Sequence, residues 1–127
     1  MLLFVIGLGG ALGAMARYGL SGWVQGLVDS TFPLGTLAVN VLGSFLLGFS
    51  LYLLESTAPT AEVRSLVTMG FLGAFTTFST FSYEALVLLE GGEWFRGGLY
   101  IGGSLILGLA GVLMGLGMGN LVLQTGG

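Results

Sequence analysis

Apolar residues run along this chain in four long blocks, separated by three short stretches that hold six of its nine charged residues. The blocks extend from about Leu2 to Leu27, Leu34 to Leu54, Val63 to Leu89 and Gly97 to Leu123. Each is long enough, at about 20 residues or more, to cross a hydrocarbon core of about 30 Å as a helix. The stretches between them are Val28–Pro33 with Asp29, Glu55–Glu62 with Pro59, and Glu90–Arg96 with two glycines and two acids. The pattern predicts an all-α integral membrane protein: one multi-pass, four-helix transmembrane domain over residues 1–127. No basic residue precedes the first block, so it is read as a retained helix rather than a cleaved signal.

One block departs from the pattern. Residues 70–82 read GFLGAFTTFSTFS, in which seven of thirteen positions are glycine or carry a hydroxyl. Paired threonines, glycines and phenylalanines together weaken a helix. Bare backbone and hydroxyls at membrane depth are tolerated only when buried in protein or lining a wet path. Discontinuous membrane helices of this kind mark ion and substrate sites in transporters. A break in the third helix is therefore expected, with Gly73 to Thr77 supplying it and Phe78 to Ser82 resuming the helix.

Composition narrows the chemistry. The 127 residues are 54% hydrophobic and 7% charged, with no cysteine and no histidine. Disulfides, thiol chemistry and imidazole-based catalysis or metal binding are excluded. A net charge of −3 from so few groups argues against nucleic-acid binding. No nucleophile–base pair or metal-ligand set is visible, so the chain does not read as an enzyme.

Orientation is weakly specified. Four spans place both termini and the second connection on one side, and the first and third connections on the other. Only three basic residues exist. Arg64 falls on the terminal side and Arg96 on the opposite side, while Arg17 lies about 24 Å along the first helix at 1.5 Å per residue. The positive-inside rule requires a clear excess of Lys and Arg. Insertion in both directions, and hence an antiparallel homodimer, is expected; a weak but sufficient bias is the alternative.

Several polar side chains fall at membrane depth. Thr36, Asn40, Ser44 and Gly48 recur every four residues and share a helix face, as do Tyr100, Ser104 and Gly108, with Gly111, Gly115 and Gly119 beyond. A small-residue packing seam explains the glycine run best. Asn40 fits two readings, an interhelical hydrogen bond or an amide donor to an anion. Phe78 and Phe81 share a face, and phenyl edges carry partial positive charge. Ring edges together with donors from Asn40, Ser79, Thr80 and Ser104 suit a small anion. Cation transport calls for intramembrane carboxylates; Glu84 is the only candidate and reads as a solvated or capping residue near a helix end. Arg17 either snorkels to the interface or raises anion concentration at a vestibule.

Three motifs, GGALGAMARY at Gly9–Tyr18, PLGTLAVNVLGSFLLG at Pro33–Gly48 and GFLGAFTTFSTFSYE at Gly70–Glu84, resemble those of the Fluc (CrcB) fluoride channels over nearly the whole chain. The resemblance implies a passive fluoride channel that exports F⁻ and protects the cell, built as a dual-topology antiparallel dimer with two anion pathways. It implies that Asn40, Phe78, Phe81, Ser79, Thr80, Tyr100 and Ser104 line the pathway. Arg17 matches the family's first-helix arginine, and Glu84 its acidic residue after the third motif. It also implies a structural Na⁺ held by the backbone carbonyls of Gly73 and Thr76. A further hydroxyl can extend the fourth-helix track one turn beyond Ser104, where this chain has Gly108. Two other readings compete. A small dual-topology multidrug exporter needs a mid-membrane carboxylate that the first block lacks. A non-transporting membrane subunit explains the glycines but not the clustered hydroxyls and Asn40.

Overall fold

The computed structural model describes residues 1–57 and 60–126, and these are all-helical. In chain order the elements are α1 (Leu2–Leu27), α2 (Leu34–Thr57), α3 (Ala61–Ser65), a π-helical stretch (Leu66–Leu72), α4 (Gly73–Phe75), α5 (Phe78–Glu90) and α6 (Trp94–Gly126). Four helical stretches, Leu2–Leu27, Leu34–Thr57, Ala61–Glu90 and Trp94–Thr125, are long and apolar enough to cross a membrane. Pro59, placed in the second connection from sequence, lies outside the described residues.

α2 and α6 run on past their expected ends, to Thr57 and Gly126, and two helix starts differ from expectation for local reasons. The last crossing begins at Trp94 rather than Gly97, because the turn before it is only three residues long. Gly92 there takes φ 82°, a left-handed conformation that glycine adopts without a Cβ penalty. The N–H groups of Gly92 and Glu93 donate to the Leu89 and Leu88 carbonyls and close the end of α5. The third crossing starts at Ala61, where the Thr60 hydroxyl caps α3 by accepting from the Val63 N–H at 3.2 Å.

Arg96 joins the first and third connections at one end of the bundle. Its guanidinium donates to Glu93 at 2.9 Å, Ser30 at 3.0 Å and Thr31 at 3.1 Å, and lies over the Phe32 ring. Gln25 closes the same corner, donating to the Ser30 and Phe32 carbonyls and accepting from the Gly35 N–H. The two connections expected on one side are therefore tied to each other.

Helix packing is backbone on backbone. The most extensive interface joins α2 and α6. There Gly111, Gly115 and Gly119 of α6 lie against the main chain of Val41, Phe45 and Phe49, while Gly48 of α2 faces the Val112 carbonyl. The glycine run of the fourth block is thus a packing seam. On the other flank, Gly9 and Gly13 of α1 abut Leu66 and Phe71, and Gly70 abuts Ile6. A Cβ at Gly115 would collide with the Phe45 carbonyl oxygen and stand 2.7 Å from the Phe49 nitrogen. Gly115→Ala is expected to cost about 1–3 kcal/mol of stability, the usual penalty of overpacking. Gly117→Ala, where a Cβ meets nothing within 4 Å, leaves stability unchanged. Thermal unfolding in detergent distinguishes the two.

Candidate functional site

Between Phe75 and Phe78 the chain leaves the helical conformation. Thr76 takes φ −89°, ψ 157° and Thr77 φ −148°, ψ 115°, both extended. The departure is two residues long; Gly73 to Phe75, expected from sequence to belong to it, are still helical. Helix resumes at Phe78 because Thr77 is a good N-cap: its hydroxyl accepts from the Thr80 N–H at 3.3 Å.

In an uninterrupted helix, the Thr77 and Phe78 N–H groups would donate to the Gly73 and Ala74 carbonyls. Two side chains from other helices take part of that work. Asn40 of α2 accepts from the Thr77 N–H at 2.8 Å and donates to the Thr77 carbonyl at 3.0 Å. Arg17 of α1 donates through Nε to the Ala74 carbonyl at 3.0 Å. Both readings of Asn40 are affected. The amide does bond across helices, and of its two Nδ2 hydrogens one is left after the Thr77 carbonyl is satisfied. Arg17 adopts a role that neither sequence alternative contains: it holds a main-chain carbonyl of the third crossing. Gly43 permits this close approach, since a Cβ there would run into the Thr76 side chain.

A cavity of about 290 Å³ opens beside Thr76 and Thr77. Its wall combines Asn40, Gly43, Ser44 and Leu47 of α2; Thr68, Leu72, Gly73, Thr76, Thr77, Phe78 and Phe81 of the third crossing; and Ser104, Leu105 and Gly108 of α6. No charged side chain is among these residues. Ser104 Oγ is buried and has no hydrogen-bond partner among the described residues, a costly state for a hydroxyl. The Phe78 and Phe81 rings lie 5.8 Å apart, tilted at 48°. Phe78 is 77% exposed in the single chain, so only one side of it is covered. A second cavity, of about 410 Å³, is lined by Glu55, Arg64, Ser65 and Thr68 among others, and Thr68 belongs to both.

Not every sequence-predicted residue gathers here. Asn40, Phe78, Phe81, Ser104, Gly73 and Thr76 do; Ser79, Thr80, Tyr100 and Arg17 are not on the cavity wall. Ser79 is exposed, turned away from Phe78 by the 100° step of the helix. Tyr100 is 1% exposed, and its hydroxyl donates to Glu84 at 3.3 Å. Its ring packs edge-on against Phe32 and tilted against Phe81, in the core with Ala85 and Leu88. Glu84 accordingly accepts a hydrogen bond from within the bundle, seven residues into α5, and does not cap a helix. Ser44 and Thr68 line the cavity without having been singled out for it. Ser44 was legible as the residue one turn after Asn40, but the same spacing also describes a packing seam.

Comparison with known proteins matches this architecture to one family. Residues 4–116 fit the family described as "CrcB-like protein, Camphor Resistance (CrcB)". A "Fluoride-specific ion channel FluC" from Nitratidesulfovibrio vulgaris is 50% identical over 121 residues, 94% of this chain and 98% of its own length. Proteins of the same description from Thermus thermophilus and Dehalococcoides mccartyi are 50% and 44% identical, over 91% and 98% of this chain and 91% and 97% of their own lengths. With four helices able to cross a bilayer, the protein is a multi-pass plasma-membrane protein. On the match of residues 4–116, and of relatives aligned nearly end to end, the chain belongs to the CrcB-like family.

Proposed function

We propose that the protein is a passive fluoride-selective channel, working as an antiparallel dimer with a central Na⁺ and exporting F⁻ from the cell. One observation carries this reading: Ser104, whose buried hydroxyl is unpartnered among the described residues, belongs to a cavity wall that also holds Asn40 and two phenyl rings and no charged group. Neutral donors and ring edges stabilise an anion that has shed part of its water. They hold it less firmly than a fixed cation would, and conduction requires binding weak enough to release. A wall without carboxylate is a poor exit for cationic drugs. The relatives' description as fluoride-specific channels supplies the identity of the anion.

In this mechanism the anion enters partly hydrated and meets the free Nδ2 hydrogen of Asn40, whose position is fixed by Thr77. Ser104 supplies a second donor, and the edges of Phe78 and Phe81 pass the ion along. Ser79, Thr80 and Tyr100 act around this path: Thr80 through the capped start of α5, Ser79 on its exposed side, Tyr100 by packing Phe81. Arg64, on the wall of the second cavity, raises local anion concentration on the approach, while Arg17 holds the Ala74 carbonyl beside it.

Gly73 and Thr76 fit a monovalent cation by their chemistry. Among the described residues no side-chain or loop donor reaches either carbonyl, and the carbonyls at an interrupted helix carry partial negative charge. One chain offers two such oxygens, and a second, antiparallel copy would bring two more. An ion held there would neutralise their partial charge between the copies. The exposed flank of Phe78 and the balanced arginine count support the same antiparallel pairing.

Liposomes loaded with fluoride and carrying the purified protein are expected to empty rapidly into fluoride-free buffer, as read by an ion-selective electrode. Chloride-loaded vesicles are expected to stay at the protein-free rate. Comparable chloride efflux would sink the selectivity. Replacing Na⁺ by a large organic cation on both sides is expected to lower fluoride efflux; no change there rejects the central ion alone.

A further inference from the structure

We infer that Ser44 is a direct hydrogen-bond donor to the permeating anion, filling from α2 the place that Gly108 leaves vacant on α6. The inference rests on the channel reading above. Ser44 follows Asn40 by one helical turn on the same face of α2, and both line the cavity. A serine within a helix commonly bonds back to the carbonyl one turn earlier. Ser44 does not: its Oγ makes no hydrogen bond among the described residues, and the residue is half-buried on the cavity wall. Its donor therefore has no use inside the single chain.

The neighbouring helix explains why this donor matters here. On α6 the polar positions Tyr100 and Ser104 give way, one turn later, to Gly108, which brings neither a donor nor bulk. An ideal Cβ built on Gly108 lies 3.8 Å from Ser44 Oγ and meets nothing else of another element within 4 Å. The two positions thus meet at van der Waals distance on the cavity wall, and a hydroxyl on either helix reaches nearly the same space. An anion released by Asn40 and Ser104 would otherwise cross a stretch lined by Leu47, Leu105 and bare backbone, and part of its lost hydration would go unreplaced. One neutral hydroxyl at that level supplies the donor without trapping the ion.

The test moves the hydroxyl from one helix to the other in the full-length protein reconstituted in liposomes, with fluoride efflux and detergent melting temperature as the two readouts. Ser44→Ala is expected to slow efflux about tenfold, the scale of one hydrogen bond in a barrier, with an unchanged melting temperature because no protein bond is lost. Adding Gly108→Ser to Ser44→Ala is expected to restore most of the efflux, and adding Gly108→Ala is not. Unchanged efflux in Ser44→Ala, a loss accompanied by a fall in melting temperature, failure of Gly108→Ser to restore, or equal restoration by Gly108→Ala each overturns the inference. A parent protein that passes no fluoride, or passes chloride equally, instead overturns the channel reading on which it stands.

Discussion

Replacing Asn40 with alanine is expected to reduce fluoride efflux by at least about two orders of magnitude, the largest effect of any single substitution in the cavity. The side chain makes two hydrogen bonds to the backbone of Thr77 and keeps one hydrogen over. Removing it strands the Thr77 N–H and half-strands its carbonyl, at about 1–3 kcal/mol for each buried group left unmet. Tenfold in rate corresponds to about 1.4 kcal/mol, so the loss of an ordered Thr76–Thr77 turn alone reaches the predicted scale, before the missing donor to the anion is counted. Asn40→Asp separates the two contributions. The carboxylate still accepts from the Thr77 N–H, but it places an oxygen against the Thr77 carbonyl and a negative charge on the anion path. Efflux falls as far as in the alanine variant while the melting temperature falls less. Retention of even a tenth of the parent efflux in Asn40→Ala contradicts the role given to this residue.

How much of this arrangement was visible beforehand depends on the range of the interaction. The four crossings follow from hydrophobic blocks, a property of each segment alone, and their limits were off by only a few residues where a cap or a tight turn decided the end, as at Thr60 and Gly92. The polar face of α2 was visible as a four-residue repeat. That its members divide, with Asn40 bonded to the third crossing and Ser44 left free, was not, because that depends on where Thr77 lies in space. Tyr100 belonged by spacing to the same row as Ser104. Burial against Phe32 and Phe81 instead turned its hydroxyl to Glu84. The π-helical stretch Leu66–Leu72 has no signature in propensity; it lies where Gly9 and Gly13 of α1 press against the main chain of Leu66 and Phe71. Local patterns thus reach the crossings and the weak helix at residues 70–82, whereas the partners of each polar group are settled by long-range packing.

The second large effect is expected at Arg17, a residue that does not touch the cavity at all. A guanidinium within an apolar helix is expensive unless its donors are used, and here Nε donates to the Ala74 carbonyl, 57 residues away in sequence. That carbonyl lies four residues before Phe78, the residue whose N–H would have met it in a continuous helix. Arg17 therefore stands in for a main-chain donor, from the α1 side, as Asn40 does from the α2 side. Hydrogen bonds to charged groups contribute about 1.5–3 kcal/mol, and Arg17→Ala is expected to lower stability by an amount in that range. Arg17→Met, which keeps length and apolar contact, is expected to be equally destabilised, because the lost element is the donor. Arg17→Lys recovers part of the loss, since an ammonium can reach a carbonyl but lacks the fixed planar geometry of the guanidinium. If the charge served only to attract anions, lysine would restore efflux fully and all three variants would melt with the parent protein. If instead the donor to Ala74 is what counts, melting temperature and fluoride efflux fall together in Ala and Met and recover together, in part, in Lys. Raising the salt concentration discriminates further: attraction of anions to a vestibule is screened over about 8 Å at physiological ionic strength, whereas a direct bond to a carbonyl is not, so the defect of Arg17→Met persists at high salt.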